Sequence, residues 1–412
     1  MISFEKFTLS NGLTVMVNTD KSTQMVAMNI LYKVGARNED PAKTGFAHLF
    51  EHLMFGGSVN IPEYDKPLQA AGGENNAFTN NDITNYYLTI PAHQVETAFW
   101  LESDRMLSLA FSEKSLEVQR SVVVEEFRQR YLNQPYGDAW LKLRPLAYTV
   151  HPYRWATIGM EVKHIEDAVL DDVKDFFKRF YHPANAVMAL SGNISTERAR
   201  ELSEKWFGPI PPGVIPSKNW DQEPAQMQPR RSIVEAAVPY PAIYKAWHCG
   251  GRTDDSFHAT DLLTDVLSAG KSSRLYNSLV KDQQLFSNIR AYTLGDMDPS
   301  LVVIDGKLRE GVDVDLAEKA IESEIEKVCI TDISQDELER IHNQTESTHV
   351  FGETSIANRA LNLCFFEMLG NANDVNSQVE KYRSTDGSMI RKAAESIFKN
   401  ENSSTLIYTP SK

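Results

Sequence analysis

Cysteine is scarce in this chain of 412 residues. Three cysteines occur, Cys249, Cys329 and Cys364, and they are odd in number and widely spaced. This pattern excludes a disulfide framework and a Cys-x-x-Cys metal site. The side chains are therefore interpreted as reduced thiols, and the expected location is the cytoplasm.

Positive charge is also in short supply, because 42 Lys and Arg residues face 56 Asp and Glu residues, giving a net charge of −14. That balance argues against nucleic acid and anionic membranes as partners. No apolar stretch is long enough to span a bilayer. The first residues, from Met1 to Lys6, lack the basic segment and apolar run of a signal peptide. We therefore expect no nucleic-acid partner and no membrane partner.

The length exceeds that of one ordinary domain, and the hydrophobic content of 42% is typical of globular proteins. The best boundary is the stretch from Gly208 to Arg231, which has several prolines and poor hydrophobic periodicity. The predicted division is a domain at 1–210, a linker at 211–232 and a second domain at 233–412.

Several segments of the first half have clear secondary-structure signals. Asn11-Gly12 is a hairpin signal, and the apolar stretch from Met25 to Val34 predicts a central strand. Residues 75–79 and 82–90 are predicted as a pair of strands. Residues 114–131 are predicted as a long helix.

The second half resembles the first. When Gly57 is aligned with Gly270, the stretch from His48 to His52 falls on the stretch from Asp261 to Asp265, and the apolar frame is kept. The predicted fold is α+β, with two similar domains related by an internal duplication. Each domain is expected to have a mostly antiparallel sheet flanked by helices. The alternative is a coincidence between two amphipathic helices.

The chain is organised around a short predicted helix between Gly45 and Gly57, with apolar residues close to helical period. His48 and His52 are four residues apart and share one face, where one metal ion can bind both imidazoles. Glu51 lies beside them, where a carboxylate can take a proton from a water that the metal activates. Paired histidines on a partly apolar helix could also be satisfied core residues.

Two histidines leave a catalytic zinc site one ligand short, since such sites usually have three protein ligands. The predicted helix at 114–131 carries Glu125 and Glu126, and Glu126 projects to the same face as Gln119. A glutamate here could supply the third ligand from a neighbouring helix. The alternative is a pair of solvated carboxylates, as most helix glutamates are.

At this point the chain resembles the pitrilysin-type, or inverted-zincin, metallopeptidases, which include mitochondrial processing peptidase. The resemblance spans most of the chain, and the branch of the family that it indicates is the half-length, two-domain branch. It rests on Asn11-Gly12-Leu13, Val34-Gly35-Ala36, the stretch from Gly45 to His52, Asn76-Ala77-Phe78-Thr79 with Asp82, Thr84 and Tyr86, the stretch from Val122 to Glu126, the stretch from Asn133 to Gly137, His151-Pro152-Tyr153 and Ile158-Gly159.

The resemblance implies a role for each matching residue. His48, His52 and Glu126 match zinc ligands, and Glu51 matches the general base. Gln119 stands where many members have a second glutamate, so any orienting role would be by hydrogen bond. The four residues Asn76, Ala77, Phe78 and Thr79 match an edge strand on which substrate is laid, although an ordinary hairpin strand is the alternative.

One departure from the family pattern matters. Members often have an arginine and, seven residues later, a tyrosine that reach the zinc site from the inert copy, but Val280 and Ser287 stand at those positions. Arg274 and Tyr276 are nearby at the wrong spacing. The resemblance therefore implies the zinc-bearing subunit of a two-subunit endopeptidase that cleaves unfolded peptides, with a homologous partner supplying the pair or a homodimer using other residues. The rival is a catalytically idle assembly or peptide-binding subunit.

Overall fold

The computed structural model describes residues 1–217 and 220–411, and these residues form two compact units. Unit 1 comprises Met1–Phe127, Trp155–Trp220 and His349–Ser377. Unit 2 comprises Arg128–Arg154, Asp221–Thr348 and Gln378–Lys412. Each unit is a β-sheet flanked by helices, which confirms the predicted α+β class.

The strands in chain order belong first to unit 1 and then to unit 2. They are β1 (Glu5–Thr8), β2 (Thr14–Thr19), β3 (Met25–Tyr32), β4 (Glu74–Thr79), β5 (Thr84–Pro91), β6 (Ala186–Gly192), β7 (Arg230–Ala236), β8 (Ala242–Cys249), β9 (Phe286–Thr293), β10 (Ser300–Leu308) and β11 (Ser403–Pro410).

The α-helices are interspersed between these strands. In chain order they are α1 (Phe46–Leu53), α2 (Asp65–Ala70), α3 (Val95–Leu107), α4 (Glu113–Phe127), α5 (Ala139–Ala147), α6 (Val162–Glu166), α7 (Leu170–Phe180), α8 (Thr196–Trp206), α9 (Phe257–Ser268), α10 (Val314–Ile330), α11 (Gln335–Gly352), α12 (Ile356–Leu369), α13 (Gln378–Arg383) and α14 (Gly387–Ile397).

The sheet of unit 1, as far as the structure describes it, has the order β1-β2-β6-β3-β5-β4, and β4 is one of its edges. Neighbouring strands are antiparallel except for β2 and β6, which are parallel. Helix α12 covers one face, where Leu363 and Cys364 pack with Met16, Leu31 and Val187. Helix α1 packs against β4 and β5.

The sheet of unit 2 has the order β7-β11-β8-β10-β9 across the described residues. Here β7 and β11 are parallel and the other neighbours are antiparallel. Ala246 and Val303 face α5 on one side, whereas Trp247 and Ile304 face the cluster of α9, α10 and α14 on the other. The two sheets therefore repeat one arrangement, in which β2, β6, β3, β5 and β4 correspond to β7, β11, β8, β10 and β9.

The compact units are less continuous than the predicted domains at 1–210 and 233–412. The segment at 128–154, with α5, packs in unit 2, and the segment at 349–377, with α12, packs in unit 1. Within the predicted linker at 211–232, Lys218 and Asn219 lie outside the described residues. The domain boundary at the linker therefore stays a prediction. The compact units differ from the predicted domains in two segments, because 128–154 belongs to unit 2 and 349–377 to unit 1.

The long helix predicted at 114–131 is shorter than expected. Helix α4 ends at Phe127, and the chain continues through a π-helical turn at Arg128–Leu132. The segment that carries Gln119 and Glu126 is nevertheless helical as predicted.

Candidate metal centre

Helix α1 is the element that presents the predicted metal-binding residues. It is eight residues long, and its apolar face, formed by Phe46, Ala47, Leu49, Phe50 and Leu53, is buried. Gly45 precedes it with a φ of 90°, a conformation that favours glycine. A Cβ at that position would lie 2.6 Å from the carbonyl oxygen of Ile158. The start of α1 is therefore fixed by a close backbone contact that no other residue permits.

His48 and His52 lie one turn apart on α1, as predicted, and α4 packs beside them and delivers Glu126. Oε2 of Glu126 is 3.7 Å from Nε2 of His48 and 3.5 Å from Nε2 of His52. The two imidazole rings are nearly perpendicular, with centroids 4.9 Å apart. All three side chains are half-buried, and their ligand atoms lie within 4.8 Å of one another.

These distances fit a tetrahedral zinc ion. Two ligand atoms that are each about 2.1 Å from a tetrahedral zinc lie about 3.4 Å apart, close to the separations between the glutamate and the two histidines. Two imidazole nitrogens and one carboxylate oxygen form a donor set typical of catalytic zinc sites. The residues present are therefore suited to zinc, and three protein ligands leave the fourth tetrahedral position to a non-protein ligand.

Glu51 lies on α1 beside this triad and is half-buried. Burial raises the pKa of its carboxyl group, while a hydrogen bond from the Thr79 hydroxyl and the charge of His52 act in the opposite direction. The nearby charge of Glu126 raises the pKa further. A carboxyl group whose pKa moves toward neutrality is better matched to general acid–base chemistry near pH 7.

Thr79 also connects the base to the predicted substrate strand. Asn76, Ala77, Phe78 and Thr79 lie in β4, which pairs with β5 and forms a sheet edge in the part of the chain that the structure describes. Phe78 packs against the face covered by α12, whereas Thr79 points toward Glu51. The structure thus brings one end of β4 beside α1, and the substrate role stays a prediction.

Gln119, the residue predicted to orient the site, lies on the same helix as Glu126. It lies two turns before Glu126 on α4 and is half-buried. Among the described residues, no hydrogen bond is found between its side chain and the triad. Its predicted orienting role is untested.

The residues at the arginine and tyrosine positions have other surroundings. Val280 is buried in the core of unit 2, and Ser287 is exposed at the start of β9. Arg274 forms a two-fold ion pair with Glu337, with nitrogen–oxygen distances of 2.8 and 2.9 Å. Tyr276 packs against the core of unit 2. Arg274 and Tyr276 therefore both already interact with other residues of unit 2.

Sequence reasoning missed Glu39, which lies in the loop before α1. Its carboxylate accepts hydrogen bonds from the backbone N–H groups of Gly45 and Ala47. Burial raises the pKa of Glu39 to about 8, although these hydrogen bonds act to lower it. The available signal was a helix that begins at a glycine, which has no side chain to cap it.

Comparison with known proteins agrees with this geometry. Residues 14–142, which include all four central residues of the site, match the profile described as Insulinase (Peptidase family M16). Residues 167–345 match the profile described as Peptidase M16 inactive domain. The chain belongs to the M16 peptidase family.

Individual M16 relatives cover the chain to different extents. It is 28% identical to the zinc protease PqqE of Helicobacter pylori, over 98% of this chain and 93% of the relative. The crystal structure of a protease from Helicobacter pylori superposes with a TM-score of 0.95 and full coverage of both chains, at 28% identity. The β subunit of the mitochondrial processing peptidase of Saccharomyces cerevisiae is 25% identical over 50% of this chain and 45% of the subunit.

These matches confirm the predicted family and its half-length branch. They also support a peptidase-like role for this chain, because relatives that match most of its length are named zinc proteases. Within the described residues, no helix is both long enough and apolar enough to cross a membrane.

Proposed function

We propose that this chain is the zinc-bearing subunit of an endopeptidase that cleaves unfolded peptides. The observation that carries the proposal is the convergence of His48, His52 and Glu126 from two helices, with Glu51 beside them. An M16 family member without catalytic activity would not need all four side chains in this arrangement.

His48, His52 and Glu126 would hold the zinc ion, whose Lewis acidity polarises a peptide carbonyl and makes a water molecule more acidic. Glu51 is the general base. Its carboxylate takes the proton from the attacking water and passes it to the nitrogen of the leaving amine. The side chain of Thr79 lies near Glu51 and favours its ionised form, in which the carboxylate can accept the proton.

Substrate would lie along β4. The outer backbone groups of an edge strand can pair with an extended peptide, which gives affinity with little demand on sequence. Asn76 and Thr79 belong to this edge, and Thr79 ends it beside the base. An extended segment is available only in an unfolded or flexible peptide, which is why we propose that class of substrate.

The proposed enzyme needs a second subunit. Val280 cannot donate a hydrogen bond, and Ser287 is too short to replace a tyrosine. Arg274 is held by Glu337 and Tyr276 by the core. A second copy of this chain would bring the same valine and serine, so we favour a homologous partner that carries the arginine and tyrosine over a homodimer.

Two measurements test the proposal. Elemental analysis of the purified chain should find about one zinc per chain. Assays on a panel of unfolded peptides should find weak or no turnover by the chain alone, because the loss of an oxyanion donor typically costs about 10²–10³ in rate. Mixing the chain with a homologous subunit that carries the arginine and tyrosine should raise the turnover rate by the same factor.

The rival function is an idle assembly or peptide-binding subunit. It predicts no zinc and no turnover with any partner, so zinc content separates it from the proposal at once. Robust turnover by the lone chain would instead disprove the partner requirement while leaving the peptidase assignment intact.

We also propose a cytoplasmic location, supported by the three free thiols. Fractionation of the source cells tests the location directly, and recovery outside the cytoplasm would disprove it.

A further inference from the structure

The first turn of α1 has no cap of its own. A helix leaves its first N–H groups without partners inside the helix, and a side chain at the residue before it usually accepts from them. Gly45 occupies that place and has no side chain, and the contact with Ile158 excludes any larger residue. An eight-residue helix is also too short to be stable by itself. The order of this turn must come from elsewhere in the fold.

Glu39 supplies the missing acceptors from six residues upstream. Its Oε2 accepts from the N–H of Gly45 at 2.9 Å, and its Oε1 accepts from the N–H of Ala47 at 2.8 Å. The residue is 7% exposed, so water does not compete for these hydrogen bonds. A carboxylate at this end of a helix also interacts favourably with the helix dipole.

The loop that carries Glu39 is itself anchored to the turn between β4 and β5. The N–H groups of Ala36 and Arg37 donate to the carbonyl oxygens of Asn80 and Asn81. The Arg37 guanidinium forms a buried ion pair with Asp82 at 2.9 Å. Glu39 is therefore held by the same turn that ends the proposed substrate strand, and it is not free to follow a fraying helix.

We propose that Glu39 is a positioning residue of the metal centre, which holds the first turn of α1 and thereby fixes His48. His48 is the third residue of α1 and lies in the turn that Glu39 caps, whereas His52 lies in the next turn. Loss of the cap lets the first turn fray and displaces one ligand relative to the other two. This inference rests on the proposed function, because it assumes that the triad binds zinc.

The test is zinc affinity, measured by competition with a chelator on metal-free protein at pH 9, above the pKa of Glu39, so that its carboxyl group is ionised. In Glu39→Gln one amide N–H faces a backbone N–H, so one of the two hydrogen bonds is replaced by a repulsive contact. We expect zinc binding about 10–100-fold weaker than in the wild type, the usual cost of losing a residue that orients a ligand. Glu39→Asp keeps the charge on a shorter side chain and should lose less.

Hydrogen exchange supplies a second readout that needs no metal. The N–H groups of Ala47 and Leu49 should exchange faster in metal-free Glu39→Gln than in the wild type, while β3 keeps its protection. The matched control is Glu318→Gln, which removes a buried carboxylate from its ion pair with Lys245 in unit 2. It should leave zinc affinity and exchange in α1 unchanged.

The outcomes separate this inference from the proposed function. If the wild type binds zinc and both Glu39 variants bind it within twofold of the wild type, the inference is overturned. Unchanged exchange in the first turn of α1 also overturns it, even if a variant yields too little protein for titration. A wild type that binds no zinc disproves the proposed function instead.

Discussion

Each unit has a helix at the corresponding point of its own sheet, and only the helix in unit 1 carries the proposed metal ligands. α1 follows β3 in unit 1, and α9 follows β8, its counterpart, in unit 2. With Gly57 aligned to Gly270, His48 and His52 correspond to Asp261 and Asp265, and both glycines have a positive φ. The shared fold therefore supplies a position for two ligands, and the side chains decide whether a metal can bind there.

In α9 the two positions are used for internal hydrogen bonds. The Tyr382 hydroxyl donates to Asp261 at 2.6 Å, and the Thr345 hydroxyl lies 3.5 Å from a carboxylate oxygen of Asp265. Burial, together with the charge of Asp261, raises the pKa of Asp265 to about 6. Helix α9 therefore has polar residues at these positions, but their partners are hydroxyl groups of the same unit.

The largest expected effect comes from Glu51, whose counterpart in α9 is Thr264. Glu51→Gln keeps the size of the side chain and its capacity for hydrogen bonding, but it cannot take a proton. Activity of the assembled enzyme should fall by several orders of magnitude, beyond the roughly 10²–10⁴ usual for one general base, because the water must also be oriented.

Peptide cleavage and zinc content are measured together for this variant. Glu125→Gln removes the neighbouring exposed carboxylate on α4 and should keep full activity. Activity of Glu51→Gln within tenfold of the wild type would refute the assigned base.

The next effect separates the two helices by metal binding. His52→Ala removes one of three protein ligands and should weaken zinc binding by roughly 10²–10⁴-fold, about a third of the free energy of a typical zinc site. Asp265→Ala, at the corresponding position of α9, should leave the zinc content unchanged. Elemental analysis after dialysis against a chelator distinguishes them, and equal zinc loss in both variants would contradict the comparison.

The smallest effect concerns the pH dependence of stability in unit 2. The pKa of Asp265 is about 6 in the folded chain and about 4 in an unfolded one. The folded state therefore holds the proton more tightly, and its stability falls as the pH rises from about 4 to about 6. The expected contribution is about 1–3 kcal/mol.

Asp265→Asn removes this titration, so its stability relative to the wild type should increase over the same pH range. Urea unfolding at a series of pH values measures the difference, and Asp255→Asn, at an exposed position before α9, is the control. A difference that does not change between pH 4 and pH 6 would show that Asp265 is not perturbed in this way.

Sequence patterns were enough to predict the α+β class, the duplication, the hairpin at Asn11-Gly12 and the helix that carries His48 and His52. These features depend on residues close together in the chain, such as the four-residue spacing of two ligands or a glycine in a tight turn. Glu126 could be proposed because it too lies within one regular helix. Its approach to the histidines depends on how α4 packs against α1.

The sequence did not predict that 128–154 packs in unit 2 and that 349–377 packs in unit 1. α5, near the middle of the chain, packs on the sheet of unit 2, and α12, near its end, packs on the sheet of unit 1. Each covers the central strands of its sheet at corresponding places, α5 on β8 and β11 and α12 on β3 and β6. An apolar helix face is complementary to either sheet, so the local sequence does not specify which sheet the helix covers.

The sequence alone determined the chemical identity of the site, because residue type and helical spacing decide which side chains can serve as metal ligands and which as a base. Only the tertiary structure decided what holds them in place. Glu39 reaches α1 across a loop, and Thr79 reaches Glu51 from a neighbouring strand. These contacts join residues whose separation in the chain follows no helical or strand period, so they exist only once the backbone has folded.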